Sequence, residues 1–183
     1  DLIDEHEPCG LEGCPGWVQK GNESMKKYQI IYADPPWRYD FSKDSADKIE
    51  VHYQTMSLED IKAIIFPVDD NAVLYLWATA PKLLEALEVM SAWGFTYKTN
   101  AVWDKGWVGM GYWFRGQHEI LLVGTRGNFS PPKDTDRISS IIHSQKSEHS
   151  KKPEFIRDLI TKWFPDKKTR LELFARPNPQ LRL

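Results

Sequence analysis

Cysteine is scarce: only Cys9 and Cys14 occur in 183 residues. That excludes a disulfide-stapled secreted scaffold and fits a reducing compartment. The pair could supply half a metal site, but no second Cys/His pair follows at zinc-ligand spacing, so no metal is expected. No apolar run approaches the ~20 residues of a membrane span, and no signal-peptide pattern opens the chain. The first residue is Asp1 rather than Met, as in a fragment or a partly covered chain. Charge of one sign is lacking too. Lys plus Arg number 24 against 26 Asp plus Glu, a formal net charge of −2. This excludes an overall basic coat and leaves room for a local basic groove. The common phosphate loops are missing: no GxGxxG follows a strand, and no GxxxxGK[ST] occurs. A dinucleotide dehydrogenase or a P-loop enzyme is therefore not expected. Neither a GxSxG elbow nor an HExxH zinc helix is present.

What is present is a globular composition, with 41% hydrophobic residues and eight tryptophans. The length suffices for one domain with a real core. Residues 1–26 show little periodicity and are expected to form an irregular N-terminal extension, leaving 27–183 as the domain. Apolar, β-branched runs predict strands over 28–33, 72–78, 95–103, 119–124 and 170–175, with an edge strand near Ile138, Ile141 and Ile142. Helical spacing predicts a helix over 58–65, capped by Ser57 with Asp60 three residues on. A second helix runs from Thr79 and Pro81 to about Trp93, stopped by Gly94. A third starts at Pro153 and stops at Pro165. Strands alternating with amphipathic helices imply an α/β fold, a mostly parallel sheet with helices on both faces. Ligands of such sheets bind beyond the carboxyl ends of strands, which sets Asp34, the segment after Ala78 and Arg176 on one rim.

The stretch around which this pattern is organised is Ile30-Ile31-Tyr32-Ala33-Asp34-Pro35-Pro36-Trp37. Neither proline can donate a backbone hydrogen bond, and both fix φ, so the strand ends in a stiff extended turn. The Asp34 carboxylate and the Pro35 and Pro36 carbonyls are then acceptors beside the flat face of Trp37. Such a set suits a planar group with an exocyclic amine, such as a nucleobase. A strand followed by a packed Pro-Pro bend satisfies the same pattern.

Further pieces follow in order: His52-Tyr53-Gln54-Thr55-Met56, Leu74-Tyr75-Leu76-Trp77, Trp93-Gly94-Phe95, His118-Glu119, His149 to Glu154, and Glu172-Leu173-Phe174-Ala175-Arg176. With Asp34-Pro35-Pro36-Trp37 at their head, the chain resembles the DPPW-motif adenine-N6 methyltransferases. That is the family of the eukaryotic messenger-RNA adenine-N6 methyltransferase, and the chain looks most like its bacterial and phage members. The resemblance spans residues 29–177. It implies a Rossmann-like methyltransferase fold with permuted motif order, the catalytic turn preceding the donor-binding strand. It implies S-adenosylmethionine as cofactor and Asp34, Pro35, Pro36 and Trp37 as catalytic residues. Cofactor contacts fall to Asp34, Lys152, Phe174, Arg176 and Asn178, and base contacts to Trp37 and Tyr53. The implied partner is nucleic acid with a flipped or single-stranded adenine, DNA preferred over RNA. A homodimer is plausible by the same resemblance, as is a non-catalytic partner subunit in place of an enzyme. No membrane is involved. The place of action would be the cytoplasm for a bacterial or phage protein and the nucleus for a eukaryotic one.

Several residues keep two readings. His118 and Glu119 are taken as buried structural polar residues and left outside the site. Trp103, Trp107 and Trp113 with Arg115 could stack on nucleic acid, or form a packed loop or dimer contact, the latter preferred. Arg137, Lys146, Lys151 and Lys152 could track phosphates or belong to a polar loop.

Overall fold

The computed structural model describes residues 26–39, 55–144, 152–167 and 169–175. Six strands form one sheet: β1 (Tyr28–Ala33), β2 (Val68–Ala78), β3 (Thr96–Asp104), β4 (His118–Arg126), β5 (Ile141–His143) and β6 (Arg170–Leu173). Their order across the sheet is β5-β3-β4-β2-β1-β6. β1 pairs in parallel with both β2 and β6, and β3 pairs in parallel with β5. β4 is antiparallel to β2 and to β3. The sheet is therefore mixed, which corrects the expected mostly parallel one in a single strand: β4 alone runs against the other five. The cause is local. No helix lies between β3 and β4, and without a crossover two consecutive strands close as an antiparallel pair.

β2 is buried without interruption from Ala72 to Ala78 because both of its faces are covered. Ala72, Leu74, Leu76 and Ala78 point into a core shared with helix α2 (Leu83–Ala92), through Ala86, Val89 and Met90. Val73, Tyr75 and Trp77 point into the opposite core, shared with helix α3 (Phe155–Trp163) through Ile156 and Ile160. The helices thus lie on both faces, as the alternation of elements requires. A short helix α1 (Leu58–Lys62) starts where expected: the Asp60 N–H donates to Ser57 Oγ at 3.1 Å. It ends at Lys62 instead of residue 65, its one buried residue being Ile61, which holds the Trp93 indole N–H on its carbonyl at 3.1 Å.

Two glycines punctuate the ends. Gly94, at φ 79°, closes α2 as expected. Gly127, at φ 61°, turns the chain out of β4, and a Cβ there would stand 2.1 Å from the Asp70 carbonyl oxygen. Gly127→Ala is expected to cost about 2 kcal/mol or more, read as a lower denaturation midpoint in urea with an unchanged slope.

Candidate active site

The register of β1 sets the site. Its last residue, Ala33, lies beside Leu76 of β2 on one side and Leu173 of β6 on the other. Asp34 therefore leaves the sheet at the carboxyl ends of three neighbouring parallel strands, flanked by Trp77 on β2 and by Phe174 just after β6. Phe174 is half-buried and sits at φ 63°, a backbone conformation that bulky residues rarely adopt. The chain thus bends sharply at the end of its last strand, directly beside Asp34. The first and last strands are neighbours, and their exits face the same rim.

The proline turn is pinned from several sides. The Trp37 N–H donates to the Pro35 carbonyl at 2.9 Å, and the Met56 N–H donates to the Pro36 carbonyl at 2.9 Å. The two proline carbonyls are therefore not idle acceptors, as the sequence suggested. Each keeps one further lone pair. Trp37 is 7% exposed and belongs to the core. Its indole N–H donates to the Trp77 carbonyl at 3.1 Å. The indole supports the turn from within rather than standing beside it as an open plate.

Lys152 arrives from the far end of the sequence, just ahead of α3. Its ammonium lies 2.8 Å from Asp34 Oδ1 and 2.9 Å from Oδ2. The same nitrogen is 3.2 Å from Glu119 Oε2, and its side chain is 8% exposed. It also lies 5.6 Å above the ring of Trp77. Trp77 is itself fully buried; its N–H donates to the Tyr32 hydroxyl at 2.6 Å, and burial pushes that phenol up to about 12. Glu119 is shared: its Oε1 meets Lys105 Nζ at 3.5 Å. One cation thus binds two carboxylates from different strands, with a second cation behind them. Lys152 is committed to these carboxylates and is not a phosphate-tracking surface lysine.

Glu119 is the residue that the sequence pattern missed. Its strand was expected, but a parallel strand would have put its first residues at the opposite end of the sheet. Reversal of β4 brings His118 and Glu119 to the rim. Tyr39 and Thr79 were also missed. The Tyr39 hydroxyl and Thr79 Oγ1 are 2.6 Å apart at the exits of the proline turn and of β2. Burial raises the Tyr39 phenol, and the charges of Glu119, Asp34 and Glu85 add to the rise, so it stays a neutral donor at physiological pH.

Of the other residues singled out, Trp103 is buried, with its N–H donating to the Ser144 carbonyl at 2.7 Å, so it is not a stacking surface. Arg137 is paired with Asp134. Tyr53, Lys146, Lys151, Arg176 and Asn178, with Cys9 and Cys14, lie outside the described residues. Among the described residues no three His, Cys, Asp or Glu side chains gather as a metal site, and no helix is long and apolar enough to cross a membrane. A cavity of about 690 Å³ opens elsewhere, between Tyr75, Val123, Phe129 and Ile160, and touches none of Asp34, Glu119 or Lys152.

Chemically, the rim offers a carboxylate held by one ammonium. A carboxylate has about four lone-pair positions, so Asp34 keeps acceptor capacity toward a cation or an amine while its orientation is fixed. The chain is thus an α/β sheet with an acidic turn at the end of an inner strand and its last strand beside its first. Residues 28–182 match the MT-A70 family. The chain belongs to that family of adenine-N6 methyltransferases, whose donor is S-adenosylmethionine. It is 34% identical over 176 residues to the Type II methyltransferase M.MunI of Mycoplasma sp, covering 84% of this chain and 74% of that protein. It is 27% identical over 166 residues to the N(6)-adenosine-methyltransferase subunit METTL3 of Danio rerio, and likewise to the human METTL3 catalytic subunit. Those matches cover 84% of this chain but 26% of each METTL3.

Proposed function

We propose that this chain transfers a methyl group from S-adenosylmethionine to the N6 amine of an adenine in nucleic acid, with DNA the preferred polymer. The observation that carries the proposal is the Asp34–Lys152–Glu119 ion network at the carboxyl end of β1. The N6 lone pair of adenine is delocalised into the ring, so the amine is a weak nucleophile. An acceptor on each of its hydrogens favours a more pyramidal nitrogen and stabilises the positive charge that develops during attack. Asp34 and the remaining lone pair of the Pro35 carbonyl are those acceptors. Lys152 and Glu119 fix the carboxylate before substrate arrives, so little reorganisation remains for the reacting complex.

The residues described here fit the donor. It carries a sulfonium and an α-ammonium, and a carboxylate at the exit of β1 is the complement to such positive charge. When bound, the donor supplies an electrophilic methyl carbon. Asp34 orients its methionine end, and Phe174, whose left-handed backbone closes the end of β6, is assigned to the donor beside it. Arg176 and Asn178, which follow in sequence, are assigned to the ribose and adenine of the donor. Tyr53 is assigned to the target base, and the buried Trp37 indole acts on that base through the proline turn it supports. A base inside a duplex cannot be reached in this way, so the target is extruded or unpaired.

Trp37→Phe is expected to remove the bond to the Trp77 carbonyl and leave a small hole, costing about 1–2 kcal/mol. The Michaelis constant for oligonucleotide should rise more than the dissociation constant for donor. A defect confined to donor binding would remove Trp37 from base positioning. The preference for DNA rests on the greater likeness to the Type II methyltransferase, of which the chain spans three quarters, than to METTL3, of which it spans a quarter. Side-by-side turnover on single-stranded DNA, duplex DNA and RNA of one sequence tests it. Faster methylation of RNA would reverse the preference within the same chemistry.

A further inference from the structure

The segment joining β3 to β4 turns its aromatic side chains outward. Tyr112 is 97% exposed, Trp113 95% and Phe114 91%, with Met110 and Trp107 also largely open. The backbone beneath them is tied. Lys105 N–H donates to the Gln117 carbonyl at 3.0 Å, and Gly109 N–H to the Gly116 carbonyl at 2.8 Å. Gly116 N–H donates to the Met110 carbonyl at 3.0 Å, and Arg115 Nε to the Gly109 carbonyl at 2.7 Å. A Cβ on Gly111 would lie 2.0 Å from the Phe114 carbonyl oxygen, so the tip is as tight as its sequence allows. Three neighbouring aromatics are thus displayed on a built hairpin.

Two further observations say what covers them. The hairpin rises from the catalytic rim: Lys105 at its base pairs with Glu119 at 3.5 Å, and Glu119 shares Lys152 with Asp34. Between Asp104 and Glu119, of which Glu119 is held by Lys105, residues 106–118 contain Arg115 and no Asp or Glu, in a chain whose acids outnumber its bases. Flat apolar faces flanked by cations and free of acids are the surface that stacks on bases and tolerates phosphates. Extruding a base leaves its neighbours unstacked, and an aromatic side chain beside the site replaces the lost stacking.

We propose that Tyr112, Trp113 and Phe114 form a stacking clamp for the nucleic-acid strand flanking the target base. The clamp rests on the nucleic-acid function proposed above. Truncating the aromatic partner of a stacked base weakens binding roughly 5- to 150-fold. The full chain carrying Trp113→Ala with Tyr112→Ala is therefore expected to bind a single-stranded adenine-containing oligonucleotide at least ~10-fold more weakly. Its affinity for S-adenosylmethionine should stay within about two-fold of wild type, and its mass by light scattering should not change. Trp113→Phe, which keeps an aromatic face, should restore most of the binding in a Tyr112 background. Unchanged oligonucleotide affinity in the double variant would overturn the clamp. So would a fall in mass from dimer to monomer, which would make the hairpin a contact between copies of this chain. Wild-type protein that methylates oligonucleotides while the variant binds them equally well refutes only the clamp. Wild-type protein that binds the donor but no oligonucleotide refutes the nucleic-acid function beneath it.

Discussion

Asp34→Asn is expected to lower methyl-transfer turnover by about 10³-fold, the scale of losing one preorganised charge at a reacting centre. The substitution keeps the shape of the side chain and removes its charge. Lys152 then keeps its pair with Glu119, and the amide can turn an N–H toward the incoming amine instead of an acceptor. The cost to stability should be small, about 1 kcal/mol, because Asp34 is partly exposed and its pair is screened. A melting temperature within a few degrees of wild type, together with lost turnover, separates a chemical role from a structural one. Near-normal turnover would remove Asp34 from the reaction.

The second large effect is expected at Lys152→Met. The side chain is almost fully buried between Asp34 and Glu119, and methionine fills the same space without the charge. Asp34 and Glu119 would then face each other without the ammonium that joins them, while Lys105 still pairs with Glu119. Removing one partner of a buried ionic group costs about 3–5 kcal/mol. The partial exposure of Asp34 reduces that to about 2–4 kcal/mol here. Activity should fall with it, because the orientation of Asp34 depends on this ammonium. Glu119→Gln in the same chain should recover part of the stability, since it removes one of the two opposed charges. The double variant would then lose less than the sum of the single losses. Strict additivity would mean that Glu119 is a bystander rather than a support for Asp34.

Those two residues also show how far the sequence could be read. The strand before Asp34 was legible to its ends, because an apolar run bounded by two prolines leaves little choice. The family resemblance assigned Asp34 and Lys152, 118 positions apart, to the same donor, but no local pattern showed that the two side chains pair. Glu119 was misplaced for a definite reason. Its strand was expected, but its direction was not, although the Gly- and Trp-rich stretch of 105–117 has no helical periodicity, which favours an antiparallel pair over a crossover. Direction decides which end of a strand meets the rim, and with it whether Glu119 touches Lys152.

Trp37 illustrates a different limit. Sequence places an indole next to the acid, yet whether that indole faces solvent or core depends on Met56 and Trp77, which are distant in the chain. The start of β2 was hidden by Asp69, Asp70 and Asn71, polar residues that extend a strand beyond its buried part. The exposure of Tyr112, Trp113 and Phe114 could not be read either. A tryptophan in a loop is equally compatible with a packed loop until the backbone of its hairpin is seen.

The central claim is that the turn at Asp34 directs methyl transfer to the N6 amine of adenine. It is tested by incubating the protein with labelled S-adenosylmethionine and adenine-containing single-stranded and duplex DNA, digesting the product and identifying the labelled nucleoside. The account predicts label in N6-methyladenosine-type nucleoside alone, lost in Asp34→Asn while donor binding remains measurable by calorimetry. Label on cytosine, or transfer that survives in Asp34→Asn, would contradict it.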